Sequence, residues 1–342
     1  MTTELINLAG EVLANYDVNP DCLRVIQSGG VKTVWKIDSA NGPLCLKRLR
    51  QTLDKALFTI NAQNFMALKG AKVPAIYPTN EGKLYQVVDN ELFVLYQWID
   101  GKNINMGNPA GLETAIKGIA AFHRDSAGYV PPENCRVSTK LGKWPQYYLS
   151  LINRMQEWKQ TAQSSAQQQL SQVYLENVDH SIMLGEKALK MLEQSCYNDW
   201  VVEVEQQKNL CHQDYGDGNA IVTSEGIYVI DLDGVTYDLP VRDLRKIINK
   251  RMASIGRWDK ELLQSIINWY CQINPLPKAQ LHVLYIDLIF PHGFHDTAKN
   301  PYRKNKPINA AKLSKAAKHE QAKEEILTPI LFNNDIVMEG PR

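Results

Sequence analysis

The chain has 342 residues, 44% of them hydrophobic and 22% charged, with 38 Lys+Arg against 37 Asp+Glu for a formal net charge of +1. That length is too great for one simple core and points to two domains, and the even charge balance excludes a general pull towards nucleic acid or a membrane surface. No run approaches the ~20 apolar residues that cross a bilayer, and the six cysteines contain no C-x-x-C pair, so they fit neither a zinc site nor a compact disulfide framework and read as reduced, mostly buried thiols.

The N-terminal stretch MTTELINLAGEVLANYDV carries acidic residues and no long apolar block, so it reads as an amphipathic helix and not as a signal peptide. Synthesis and folding in the cytosol are the expectation. Short apolar or β-branched runs at 23–26, 34–37 and 44–49 predict strands, with Gly29-Gly30 and Asn41-Gly42 as turns. Residues 54–69 predict a helix, with Ala56, Leu57, Ile60, Phe65 and Leu68 near helical spacing and Gly70 as its C-cap. Strands are expected again at 84–88 and 92–97.

After Asp100-Gly101 the pattern turns helical: 112–123, 147–158 and 170–192, with the Gln- and Ser-rich stretch 163–169 as a junction. A short β segment interrupts at Asn209-Leu210-Cys211, followed by a hairpin of 220–223 and 227–230 around Ser224-Glu225-Gly226. Helices return at 243–253, 260–270 and 279–290, and the Lys/Glu-rich tail 310–327 reads as a solvated helix. The order is a β-rich domain over 1–98 and a mostly helical domain over 99–342 with a small hairpin inside it. A doubly wound sheet would alternate strands and helices throughout.

The segment His212-Gln213-Asp214-Tyr215-Gly216-Asp217-Gly218-Asn219 places a carboxylate and a carboxamide on one loop, and Ile230-Asp231-Leu232-Asp233 follows across the predicted hairpin. Phosphoryl transfer needs a carboxylate to orient the attacking hydroxyl, and oxygen ligands to hold magnesium against nucleotide phosphates. Asp214 suits the first part; Asn219 and Asp231 suit the second. Lys47 ends an otherwise apolar run and is the candidate cation for the phosphates, with a snorkelling surface lysine as the alternative. Gly29-Gly30 could turn a hairpin over the phosphates, or be only a turn. His292-Gly293-Phe294-His295-Asp296 has the composition of a metal cluster but no helix that would present those side chains together, so a packed loop is expected. Lys299, Arg303, Lys304 and Lys306 read as a solvated basic loop, and Trp144, Tyr147, Tyr148 and Trp158 as helix core.

H-x-D-x(4)-N followed by I-D-x-D resembles the aminoglycoside phosphotransferase and choline kinase superfamily. The longer strings HQDYGDGNAIV and YVIDLDGVTYDLPVRDLRK resemble its CotS-type spore coat branch, over roughly 25–294. The resemblance implies an α+β, bilobed protein-kinase-like fold using ATP and Mg2+. Asp214 would be the catalytic base and His212 a brace for its loop. Asn219 and Asp231 would bind metal with Asp233 in support, and Lys47 would contact phosphate. Backbone groups of Gln97 and Ile99, in the hinge-like run 93–101, would meet the adenine, and Asp243 would be a structural carboxylate. The resemblance further implies a small-molecule hydroxyl acceptor, other spore coat proteins as partners, and placement in the spore coat. One departure stands out. The family pairs its strand lysine with a glutamate on the first helix, whereas here Gln63 sits near that place and could accept a hydrogen bond from Lys47. That departure raises the alternative of a weak or inactive pseudokinase with a structural role in coat assembly.

Overall fold

The computed structural model describes residues 2–29 and 32–332. Two compact units emerge: Met1–Thr139 with Lys208–Tyr237, and Lys140–Gln207 with Asp238–Arg342. This partition follows compactness and differs from the expected division at residue 98, which follows the order of strands and helices along the chain. The first unit takes in a helix and the whole 208–237 segment because both pack with the N-terminal sheet and its extensions.

In the first unit, α1 (Thr2–Leu13) precedes β1 (Pro20–Gly29), β2 (Lys32–Ser39), β3 (Leu44–Leu49), α2 (Leu53–Leu68), β4 (Ile76–Tyr77), β5 (Gln86–Val88) and β6 (Glu91–Gln97). The sheet order is β1-β2-β3-β6-β4, with β5 also on β6, and every pairing is antiparallel. Successive strand side chains point to opposite faces. Trp35, Ile37, Leu44, Leu46, Phe93 and Leu95 therefore pack under Ala9, Val12 and Leu13 of α1 and Tyr16 just beyond it. Leu49, Leu92, Val94 and Tyr96 point the other way, to Ala56 and Ile60 of α2. The same alternation sends Lys47 to the α2 side. Lys69 is the C-cap of α2, and Gly70 one residue beyond it holds the left-handed φ of 81° that commonly ends a helix.

The unit continues with β7 (Lys102–Asn103) and α3 (Pro109–Asp125), whose Asn108 N-cap side chain accepts from the Gly111 amide at 2.7 Å. Segment 208–237 supplies β8 (Leu210–Cys211), β9 (Ala220–Thr223), β10 (Gly226–Val229) and β11 (Thr236–Tyr237). β10-β9-β7 form one small sheet and β11-β8 another. β4 and β7, two residues each, were not expected: neither is long enough to show a period.

In the second unit lie α4 (Trp144–Gln163), α5 (Gln169–Gln194), α6 (Tyr197–Gln207), α7 (Val241–Ile255), α8 (Lys260–Cys271), α9 (Lys278–Ile289), α10 (His292–Lys304) and α11 (Ala310–Phe332). Trp144, Tyr148 and Trp158 are buried as expected of helix core, while Tyr147 is 37% exposed. Asp243 is buried in the first turn of α7, where the helix dipole favours a carboxylate.

Three expectations are corrected. The tail is not a purely solvated helix: Leu313, Ala317, Leu327, Ile330 and Leu331 of α11 are buried, and so are Glu320 and Lys323. Glu320 pairs with Lys323 and accepts from the Gly293 amide, and Lys323 donates to the Phe290 carbonyl at 2.9 Å. Pairing makes their burial tolerable. Residues 292–296 begin α10 and are not a loop. His292 bonds Asp287 Oδ1 through Nε2 at 2.8 Å, and His295 stacks on Trp158. The basic run accordingly starts on a helix, with Arg303 and Lys304 in its last turn. Finally, all six cysteines are free, but only Cys211 is fully buried; Cys22 is exposed and four are partly so. Among the described residues no helix is long and apolar enough to cross a membrane.

Candidate functional site

Strand alternation and the antiparallel register place Lys32 and Val34 of β2, Cys45 and Lys47 of β3 and Tyr96 of β6 on one wall of a cavity of about 270 Å³ in the first unit. Ile26 and Gln27 of β1, Gln97, Trp98 and Ile99 at the end of β6, and Asn219, Ile221, Ile230 and Asp231 also line it. The cavity is therefore largely apolar, and its polar lining includes two lysines, the Asp231 carboxylate and the Asn219 carboxamide.

Two short elements bring Asn219 and Asp231 there. The β9–β10 hairpin starts just after Asn219 and ends just before Ile230, and the Ile230 amide donates to the Asn219 carbonyl at 3.1 Å. Asp231 then takes a left-handed conformation, φ 63° and ψ 56°, ahead of the 3-10 turn Leu232–Gly234. Aspartate tolerates this region better than most residues. Asn219 donates through Nδ2 to the Asp214 carbonyl at 2.8 Å, which fixes its amide plane and leaves Oδ1 without a protein partner among the described residues.

Lys47 is buried and bridges two carboxylates, with Nζ 2.5 Å from Asp231 Oδ1 and 2.7 Å from Asp233 Oδ1. Lys32 Nζ reaches Asp231 Oδ2 at 2.9 Å. Burial alone would depress the Lys47 ammonium, but Asp233 and Asp231 outweigh it and hold it above its ordinary value. Burial would likewise raise Asp231, and Lys47, then Lys32, hold it well below the usual carboxylate range. Burial pushes the neighbouring Cys45 thiol up to about 11, so it is a packing group and not a nucleophile.

The loop carrying Asp214 is built from buried anchors. The Leu210 amide donates to Ser126 Oγ at 2.9 Å, and Tyr215 OH donates to the Ala115 carbonyl at 2.9 Å. His212, fully buried, bonds the Ile230 carbonyl through Nε2 at 2.9 Å and accepts from the Asp214 amide at Nδ1 at 3.3 Å. One ring thus ties the loop to the residue before Asp231. Asp214 itself is exposed, and its carboxylate has no protein partner among the described residues.

The remaining expected residues are distributed as follows. Gln97 and Ile99 line the cavity, but the Gln97 amide is spent on the Ala75 carbonyl at 2.8 Å, whereas the Ile99 amide has no protein acceptor among the described residues. Gln63 lines the cavity too, yet its Nε2 donates to the Pro74 carbonyl at 2.7 Å, and among the described residues Lys47 bonds only the two aspartates. The expected Lys47–Gln63 hydrogen bond is not formed, because two carboxylates outcompete a neutral amide for an ammonium. Gly29 is the last residue of β1 and its carbonyl accepts from Arg50; the cavity wall on that strand is made by Ile26 and Gln27. Gly30 lies outside the described residues. Lys32 was not foreseen: one lysine after two glycines reads as a surface charge, and only the strand register shows which face it occupies.

Hard oxygen donors and cations of this kind fit a magnesium nucleotide. Asp231 and the free Asn219 Oδ1 are suitable metal ligands, and two ammonium groups suit phosphate.

Comparison with known proteins places the family and the fold. Spore coat protein S of Bacillus subtilis (strain 168) is 27% identical over 299 residues, covering 87% of this chain and 85% of that protein. An aminoglycoside phosphotransferase from Alicyclobacillus acidocaldarius superposes with a TM-score of 0.72 at 16% identity, covering 94% of both chains. The spectinomycin phosphotransferase APH(9)-Ia, solved with ADP and spectinomycin, gives 0.53 at 18% identity, covering 95% of this chain and 99% of that one. These likenesses establish an α+β, kinase-like fold with a β-rich N-terminal part and a mostly helical C-terminal part. The model of the family described as "Spore coat putative kinase YutH" matches residues 31–330, and the chain belongs to that family.

Proposed function

We propose that this protein is an ATP- and magnesium-dependent phosphotransferase that acts on a hydroxyl of a small molecule and is placed in the spore coat. The observation that carries the reading is the gathering of Lys32, Lys47, Asn219 and Asp231 on a single cavity whose remaining lining is largely apolar. Spore coat placement rests on the family and on the likeness to spore coat protein S; nucleotide use is supported by the likeness to a phosphotransferase solved with ADP.

The apolar walls, Ile26, Val34, Tyr96 and Ile221 among them, suit an adenine ring, and the Ile99 amide is a donor for one of its nitrogens. Asp231 and Asn219 would hold magnesium, which supplies charge neutralisation on the phosphates. Lys47 and Lys32 are the cations for phosphate oxygens. Asp214, exposed and unpaired, is free to accept a hydrogen bond from an acceptor hydroxyl and orient it for attack. His212 keeps that loop in register with Asp231. The test is calorimetric titration of ATP with and without magnesium, followed by a transfer assay against amino alcohols, sugars and aminoglycosides. Magnesium-dependent binding and turnover with one class of acceptor are expected; absence of nucleotide binding at millimolar ATP overturns the reading.

A second reading, a nucleotide-binding coat component without transfer, is favoured by one feature. α2 offers Gln63 and no carboxylate near Lys47, and that amide is committed to Pro74. Binding without turnover across the acceptor panel would select it.

A further inference from the structure

Lys47 lacks a helix carboxylate, yet it is not left to the metal-site aspartate alone. We propose that Asp233 is the positioning carboxylate for Lys47, doing from the segment after β10 what no acid of α2 does; the proposal rests on the nucleotide-site reading above.

Four observations carry it. Asp233 Oδ1 accepts from Lys47 Nζ at 2.7 Å, a charge-assisted bond to a buried ammonium. The Asp233 backbone is gripped independently, since Gln51 Nε2 donates to the Asp233 carbonyl at 2.5 Å. Gln51 lies two residues beyond the end of β3, the strand that carries Lys47. Asp233 is thus tied at two points, side chain and main chain, to the stretch of chain whose lysine it would hold. Third, Asp231 and Leu232 line the cavity and Asp233 does not, so the two aspartates of I-D-x-D are not equivalent: one faces the ligand space and the other stands behind the lysine. Fourth, the residue on α2 nearest the expected role is Gln63, whose amide is committed to the Pro74 carbonyl.

The division of labour follows from charge. Lys47 has two carboxylate partners and Asp231 has two lysine partners. A cation taken up by Asp231 competes with both lysines for that carboxylate. Asp233 then remains as the partner that keeps Lys47 from relaxing its long, flexible side chain away from the phosphates, a loss of orientation that costs affinity.

The full-length protein and its Asp233→Asn, Asp233→Glu and Asp231→Asn variants separate this from a metal-ligand role. ATP is titrated calorimetrically in excess EDTA and in excess magnesium. Asp233→Asn is expected to weaken ATP by about ten-fold in both media, the loss of one charge-assisted bond, and Asp233→Glu to recover most of it. Asp231→Asn is expected to lose affinity only where magnesium is present. A loss in Asp233→Asn confined to magnesium would make Asp233 a metal ligand and overturn the proposal, as would wild-type affinity in both media. A readout without nucleotide keeps the two readings apart. Brief acetylation with acetic anhydride, followed by mass spectrometry of the Lys47 peptide, is expected to be several-fold faster in Asp233→Asn, because a lysine side chain held by one carboxylate fewer leaves its buried position and meets the reagent more often. An unchanged rate overturns the positioning role even if wild-type protein binds no ATP, whereas absent ATP binding with accelerated acetylation removes the nucleotide reading and leaves the Lys47–Asp233 coupling standing.

Discussion

Lys32 and Asp231, 199 residues apart in the chain, meet through a 2.9 Å bond between Nζ and Oδ2. With Lys47 on the other oxygen of the same carboxylate, the metal-binding candidate is fully engaged by cations before any ligand arrives. The candidate site is therefore self-neutralised, and on the proposed reading a magnesium nucleotide would exchange partners within it: metal for lysine at the carboxylate, phosphate for carboxylate at the lysines.

Lys32 carries the first prediction. If it is a phosphate cation, Lys32→Ala weakens magnesium–ATP by about five-fold, the modest value suited to a partly exposed charge. Calorimetric titration measures it. Tighter binding in the variant would show that Lys32 only competes with the metal for Asp231.

Asp214 is exposed and unpaired, so its replacement should touch chemistry and not folding. Asp214→Asn is expected to lower turnover by about 10²–10⁴-fold while the melting temperature and ATP affinity stay at wild-type values. An unchanged rate would remove Asp214 from the transfer step.

Arg245 and Asp287 form a buried pair in the second unit, Nε to Oδ2 at 3.0 Å, with Tyr148 OH donating to Asp287 Oδ1 at 2.6 Å. Burial would raise the Asp287 carboxyl, but the Arg245 guanidinium, together with the hydrogen bond to His292, holds it far below the usual range. Arg245→Met leaves the carboxylate buried without its cation and should cost about 3–5 kcal/mol of stability. Chemical denaturation at pH 7 measures this, and a cost under about 1 kcal/mol, the range of a surface pair, would show that the network tolerates the loss.

Asp238 behaves in the opposite sense. Burial pushes its carboxyl up to about 6 although it accepts from Trp144 Nε1 at 2.8 Å and from the Leu239 amide. The folded form holds a proton that the unfolded chain releases near pH 4, so this group's contribution to stability falls as pH rises from about 4 to about 6. An asparagine keeps an acceptor and has no charge to bury. Asp238→Asn should therefore gain on the wild type by of order 1–3 kcal/mol between pH 4 and pH 7. Urea midpoints across that range measure the gain; a constant difference between the two proteins would contradict it.

Burial also depresses His292 to about 3, with Arg245 adding to the effect against the pull of Asp287. The ring is neutral in the folded protein and charges on unfolding below its ordinary value, so stability is lost as pH falls from about 6.5. His292→Gln is expected to flatten the acid limb of the stability curve between about pH 6.5 and pH 4, read from urea midpoints. An acid limb as steep as that of the wild type would place the transition on other groups.

Sequence alone determined the parts of this protein that short-range chemistry decides. Asp214, Asn219 and Asp231 were legible because a loop and a tight hairpin fix their spacing within twenty residues, and the strand that carries Lys47 because its apolar alternation is local. Tertiary structure decided which groups those residues meet. Whether Lys47 finds Gln63 or Asp233 is a competition between acceptors carried on distant segments, and neither register nor rotamer can be read from spacing. The same holds for α11, where Lys323 and Glu320 look solvated in sequence and are buried in the fold. A charged residue enters the interior only when a partner from elsewhere in the chain is already there to receive it, and that pairing is a property of three dimensions.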